Sequence, residues 1–297
     1  MIPKEELAKY REAGAIASRI RTDMLRSMKV GDNLLSIAEK IEGMIAKAGA
    51  KPAFPVNISI NEAAAHYTPQ LGEQKTLAKG DLVKVDVGAH VDGYLADMAF
   101  TWCSEKDPLI KAAQDALDAG IAAIRPGARI SEVSAAIYAS IDGAGFGPVV
   151  NLSGHGVERY DFHGKISIPN VPNACAHVLS EGEVVALEPF VAGSAVHVDE
   201  SGPIEIYQFI QRRPVRMPEA RKVMELSEKD FAGFPFAKRW LSGKVSPLRL
   251  NMALMELQRC GAVRSYPVLK DMQGRKIAQA EDTIIVAKEP IVTTRNL

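Results

Sequence analysis

Two aspartates stand where strand residues are normally apolar. Asp86 lies in Leu82-Val83-Lys84-Val85-Asp86-Val87 and Asp97 in Ala96-Asp97-Met98-Ala99-Phe100. Aspartate is depleted in strands and rarely buried unpaired. Between them, Asp92-Gly93 is a strong short-range hairpin signal. A two-residue turn there pairs positions whose numbers sum to an odd value, which places both acids on one face. They are then directly opposite or diagonal by two, with Cβ atoms roughly 5–8 Å apart. Like charges so close repel unless a cation lies between them; the alternative is a solvent-facing edge with incidental acids. Glu188, in Val184-Val185-Ala186-Leu187-Glu188-Pro189, and Glu281, in Ala280-Glu281-Asp282-Thr283-Ile284, repeat the anomaly. Asp282 leaves the second choice open, because alternation turns only one of the two toward a given face.

There are six histidines. His155 sits between Gly154 and Gly156, which allow close approach of backbone and ligand. His66 opens His66-Tyr67-Thr68-Pro69, and His163 follows His155 by eight residues. His90, His177 and His197 read as structural. Four carboxylates and one imidazole form a mostly hard donor set suited to divalent first-row metals. Bridging carboxylates hold two such ions ~3.5–4 Å apart, lower the pKa of a shared water and stabilise an oxyanion. That is hydrolytic chemistry.

The elements that must position these groups read as follows. A helix is predicted over 4–28, with Leu7, Ala13, Ile16, Ile20 and Leu25 near a 3.6-residue period, and a second over 34–48. A strand is expected over Phe54–Ile60, then the hairpin Leu82–His90 and Tyr94–Trp102. Helices follow over 107–124 and 131–144, and strands near 166–169 and 184–191. Short helices are expected at 218–230, 237–242 and 247–260, and strands at Val263–Leu269 and Ile277–Val286. The fold class is α+β, mostly antiparallel sheet flanked by helices, with a helical subdomain at 207–262 inserted into a catalytic domain formed by 1–206 and 263–297.

Composition narrows the function. Of 297 residues, 47% are hydrophobic and 24% charged, enough for a sizeable core. Lys plus Arg equals Asp plus Glu at 36 each, which argues against a whole-chain DNA or RNA binder. Cys103, Cys175 and Cys260 form no metal or disulfide pattern. No signal peptide and no run of ~18 apolar residues is visible. The expectation is a cytoplasmic protein without membrane attachment, monomeric by default.

In order and spacing, Asp86, Asp97, His155, Glu188 and Glu281 resemble the five metal ligands of the pita-bread metallopeptidases. His66 in His-Tyr-Thr-Pro, with Ala53-Phe54-Pro55 upstream, is similar to the methionine aminopeptidase branch. The long helical interval between Glu188 and Glu281 resembles the type II enzymes, and the compact N-terminus their archaeal members. The resemblance implies removal of the initiator methionine from nascent polypeptides with a small second residue, using two divalent ions (cobalt, manganese, iron or zinc). It implies that Asp86 binds one ion, His155 and Glu188 the other, and that Asp97 and Glu281 bridge them. Glu188 is then the general base, and His66 and His163 hydrogen-bond donors to substrate and tetrahedral intermediate. Phe54, His66, Phe162, His163 and Tyr266 form the substrate pocket. Phe162 stands where smaller aliphatics are usual, which predicts a narrower pocket, and Ala280 where some members carry an aromatic.

Two enzyme or binding alternatives share the scaffold: an aminopeptidase P or prolidase relative, and a non-catalytic pita-bread binding module. The His-Tyr-Thr-Pro context argues against the first and the intact ligand set against the second. Residues 211–249 carry ten Lys or Arg and four acids. This basic stretch is either a solvated face or a weak contact to ribosomal RNA.

Overall fold

The computed structural model describes residues 2–295. Helix α1 (Lys4–Ser27) buries Tyr10, Ala13, Ala17, Ile20 and Met24 at three- and four-residue intervals, whereas Leu25 points to solvent. Gly31 ends the connection in the left-handed region, and Asn33 caps α2 (Leu34–Lys47) by accepting from the Ser36 amide. Strands β1 (Lys51–Pro52), β2 (Asn57–Ile60) and β3 (Ala63–Ala65) follow, then the long hairpin β4 (Val83–Val91) and β5 (Tyr94–Trp102). The expected strand over Phe54–Ile60 begins only at Asn57, because Pro55 has no amide to give a ladder.

Helices α3 (Pro108–Ala123) and α4 (Ile130–Gly143) pack on each other. They precede β6 (Gly147–Pro148), β7 (Ser153–Glu158), β8 (Asp161–Pro169), β9 (Val184–Leu187), β10 (Phe190–Ala192) and β11 (Asp199–Phe209). Next come α5 (Pro218–Phe231), β12 (Pro235–Ala237), a 3₁₀ turn over Lys238–Leu241 and α6 (Pro247–Arg259). Strands β13 (Val263–Lys270), β14 (Ile277–Gln279), β15 (Asp282–Ile285) and β16 (Ile291–Val292) close the chain.

All strand pairings between these elements are antiparallel, in four sheets: β1-β4-β2 with β5 on β4, β14-β10-β6, β12-β11-β13-β3 and β16-β15-β9-β7-β8. Helices α1 and α2 bury one apolar layer against β2, β4 and β5, built from Ile20, Met24, Ile41, Val85, Val87 and Met98. Helices α3 and α4 bury a second against β9, β10, β14 and β15. The molecule is α+β.

Two expected strands are interrupted, and both at a glutamate. The stretch 184–191 breaks at Glu188-Pro189, and 277–286 at Ala280-Glu281. On one side of the breaks β9 pairs with β15; on the other β10 pairs with β14, in a different sheet. Each glutamate thus sits where the chain changes sheets. Glu281 exchanges both backbone bonds with Ala99 instead (N···O 3.0 and 3.3 Å), which ties it to β5.

Residues 207–262 close a core of their own, with Val223, Phe236, Leu250, Leu254 and Leu257 inside. Their sheet is shared: β11 runs across position 207 and pairs with β13 over its length. Strand β11 escaped the sequence reading because Gly202 and Pro203 interrupt it, and the register shifts between Ser201 and Ile204. The segment 237–242 is a short strand end and a 3₁₀ turn, not an α-helix.

Candidate metal centre and active site

The β4–β5 hairpin turns through Asp92 (φ 50°) and Gly93 (φ 86°), the positive-φ pair a two-residue type I′ turn needs. Val91 pairs with Tyr94, which sets Asp86 opposite Ala99 and Asp97 opposite Gly88. The two aspartates are therefore diagonal by two on one face. A Cβ at Gly88 would lie 2.3 Å from the Phe54 ring, so glycine here lets an aromatic wall close over the aspartates. The Thr283 hydroxyl accepts from the Asp97 amide (2.7 Å) and donates to its carbonyl (2.8 Å), locking that residue to β15.

His155 comes from β7. Its Nδ1 lies 3.2 Å from the Gly156 carbonyl, which can only accept, so Nδ1 carries the proton and Nε2 is free to ligate. Nε2 is 3.7 Å from Asp97 Oδ2, and Asp97, His155 and Glu281 present ligand atoms all within 4.8 Å of one another. Asp86 and Glu188 line the same cavity, of about 220 Å³. Gln279 spans the two glutamates, its Nε2 donating to Glu188 Oε2 and Glu281 Oε2 at 3.3 Å each.

No lysine or arginine lines this cavity among the described residues. Asp86 Oδ1 and Asp97 Oδ1 are enclosed and have no hydrogen-bond partner. Burial pushes the Asp86 carboxyl up to about 7. Burial first, then the neighbouring acids, hold Asp97, Glu188 and Glu281 well above the carboxylate range. Burial also lowers His155 to about 4, so its imidazole is neutral, as a metal ligand must be. Unpaired enclosed oxygens, mutual repulsion and a neutral imidazole together make a donor set that divalent cations fit.

The substrate-side residues expected from the sequence also meet here. Phe54 and Phe162 approach to 5.9 Å between ring centres, and Tyr266 lies 5.5 Å edge-on to His66 and 6.2 Å from Phe162. His163 stacks on Phe162 (4.1 Å) and sits 4.2 Å from the His155 ring. Burial, then the neighbouring imidazoles, hold His163 below the ordinary histidine value, and burial lowers His66 to about 4. His66 adopts φ 65° and places Nδ1 3.2 Å from the Pro267 carbonyl. As with His155, that carbonyl assigns the proton to Nδ1. Neutral His66 then carries no proton on Nε2, and the residue lines the cavity.

The remaining histidines stay outside the cavity. His90 accepts from the Gly93 amide, His177 contacts Glu183, and exposed His197 lies near Asp199. Asp282 faces away from Glu281 and binds Arg21, Arg295 and Thr294. Sequence reading missed Gln279, Thr283 and Asn57. Gln279 is two residues before Glu281, the spacing of a shared strand face, and Asn57 pairs with Asp86 across β2 and β4. Both were within reach of the alternation argument.

A protein-family model for metallopeptidase family M24 matches residues 8–233. The chain is 47% identical over 281 residues to a methionine aminopeptidase of Thermococcus onnurineus, covering 94% of this chain and 95% of that protein. Among solved structures, a methionine aminopeptidase of Thermotoga maritima superposes with a TM-score of 0.73 at 21% identity, over 99% of this chain and 98% of the other. A structure described as a thermophilic Arx1 reaches 0.87 at 16% identity, over 100% of this chain and 92% of the other. These two likenesses concern the fold, which is the pita-bread fold.

Proposed function

The chain belongs to metallopeptidase family M24, on its methionine aminopeptidase branch, and from that premise we propose how its own residues carry the reaction. The protein removes N-terminal methionine from peptides in a metal-dependent hydrolysis. The observation that supports the residue assignment is the convergence of four carboxylates and His155 in one cavity, with no lysine or arginine lining it among the described residues.

Asp86 would hold one divalent ion, His155 and Glu188 the other, and Asp97 and Glu281 would serve both. When bound, the ions supply Lewis acidity and lower the pKa of water toward 7. Glu188 takes the proton of the attacking water and returns it to the leaving amine. Burial first, then Asp97 and Asp86, favour its protonated form, and Gln279 engages one of its oxygens. Neutral His66, with Nε2 as acceptor, accepts a hydrogen bond from the N–H of the scissile amide. His163 donates to the carbonyl oxygen as negative charge develops there. Phe54, Phe162 and Tyr266 enclose the methionine side chain. Crowding beyond it restricts the second residue to small side chains, since apolar pocket contacts alone discriminate by only ~1–3 kcal/mol per methylene or two. Met-Ala-Ser is expected to be cleaved much faster than Met-Leu-Ser; similar rates would contradict this.

The test of the assignment is methionine release from Met-Ala-Ser by metal-stripped protein, with cobalt or manganese restored, beside Glu188→Ala. Activity that returns only in the parent supports it. Equal recovery in Glu188→Ala removes Glu188 as base.

Residues 207–262 form an inserted subdomain in this reading, and the protein works as a cytoplasmic monomer. Within 211–249, Arg213, Arg216, Arg221, Lys222 and Lys229 are exposed and make no ion pair among the described residues. They are the groups that would meet ribosomal RNA, in a contact that weakens steeply with salt. Salt-independent co-sedimentation with ribosomes, or none at low salt, would exclude it.

A further inference from the structure

Residues 234–240 of the insert reach back to the active site. Pro235 lines the cavity and Phe234 packs 4.6 Å from the His90 ring. Arg239, its side chain 4% exposed, is sunk between the insert and the loop that carries His66. Its Nη1 donates to the Thr68 hydroxyl (2.6 Å) and the Pro69 carbonyl (3.1 Å), and its Nη2 to Glu42 Oε1. Glu42 also accepts from the Trp240 indole (3.0 Å) and the Val56 amide (3.4 Å). The Thr68 hydroxyl in turn donates to the Val56 carbonyl (2.8 Å), and the Ile58 amide to the Tyr67 carbonyl (2.6 Å).

The loop so held has neither helix nor strand over 66–70. His66 sits in the left-handed region, which a residue with a Cβ adopts only when its surroundings over-determine it. On the upstream side, β3 pairs with β13 and the Pro267 carbonyl accepts a hydrogen bond from His66 Nδ1. On the downstream side the anchors are the amide of Ile58, the carbonyl of Val56 and the guanidinium of Arg239. Only a planar fork reaches Thr68, Pro69 and Glu42 at once, and an ammonium would satisfy part of the set. Ion pairs this deep carry a desolvation cost that often cancels their attraction. Fold stability alone is thus a weak reason for an arginine here.

We propose that Arg239 is a positioning residue: through Thr68 and Pro69 it holds the His66 loop so that Nε2 meets the scissile amide. This rests on the role given to His66 above, which His66→Ala tests separately. Displacing a positioned group by about 1 Å can cost ~10²-fold in rate. Arg239→Met is therefore expected to lower kcat by roughly 10²-fold, with KM within about threefold. Arg239→Lys recovers part of that loss. Thr68→Val shows the same kcat signature, at about 10-fold, and carries the test if Arg239→Met does not fold. In a His66→Ala background, either substitution should change kcat by less than about threefold, because residues acting through one group are not additive. An equal loss in both backgrounds overturns the proposal, as does an unchanged kcat in both single variants. Parent-like kcat in His66→Ala alone overturns the role of His66 itself.

Discussion

Glu281 and Asp282 are neighbours in sequence and equally enclosed, 1% and 0% exposed, yet their surroundings are opposite. Asp282 meets Arg21 (3.0 Å), Arg295 (2.6 Å) and the Thr294 hydroxyl (2.7 Å), which tie α1 and the end of the chain to β15. Glu281 meets Asp97, Glu188 and Asp86, and among the described residues only the Gln279 amide donates to its side chain. The strand pleat sends one acid to a pair of arginines and the other into a cluster of acids.

Exchanging the charge at each position should separate these two roles. Glu281→Gln is expected to lower metal-dependent turnover by at least ~10³-fold, comparable to removing one transition-state stabilising group. The thermal stability of its metal-free form should be unchanged or higher, since a repulsion is relieved. Asp282→Asn should do the reverse: lose about 3–5 kcal/mol of stability, the usual result of breaking a buried ion pair, and keep turnover per folded molecule. Activity assays beside thermal melts of stripped protein check both. Matching losses in both variants would erase the distinction.

A second, smaller effect concerns pH. Asp86 is raised from 3.8 to about 7 in the fold, so its carboxyl keeps its proton there after the unfolded chain has lost it. Its contribution to stability is complete below the unfolded value and is lost as pH rises through the folded one. The lowered histidines act in the opposite sense and are common to both metal-free proteins, while Asp97, Glu188 and Glu281, each raised in part by Asp86, are relieved in the variant with the same sign. Asp86→Asn should therefore gain on the parent between about pH 4 and 7, by on the order of 2–4 kcal/mol. A gap that is flat with pH would mean that Asp86 is already ionised without metal. Smallest of all is the exposed pair Lys111–Asp115 on α3: Lys111→Ala should cost under about 0.5 kcal/mol in denaturant melts.

Much of the centre was legible because its residues break local rules. Asp86, Asp97, Glu188 and Glu281 interrupt apolar runs, and a two-residue turn constrains the faces of the first two. The turn left two registers open, and only the Val91–Tyr94 pairing selects the diagonal one. The strand ends at Glu188 and Glu281 were not visible, because an apolar run does not say in which sheet its halves pair. Nor could the sequence choose between Glu281 and Asp282, since their difference lies in partners on α1 and the C-terminal segment. The Arg239–Glu42 contact joins residues 197 apart, and neither belongs to a local pattern. The proton on His66 Nδ1 depended on the Pro267 carbonyl, 201 positions away.

The most direct test is metal binding by calorimetry to stripped parent, Glu281→Gln and Asp282→Asn, with manganese as the probe. The parent and folded Asp282→Asn should bind two ions per chain with similar affinity, while Glu281→Gln loses the coupled pair. Parent-like binding of both ions by Glu281→Gln would contradict the assignment of the carboxylate cluster as the metal centre.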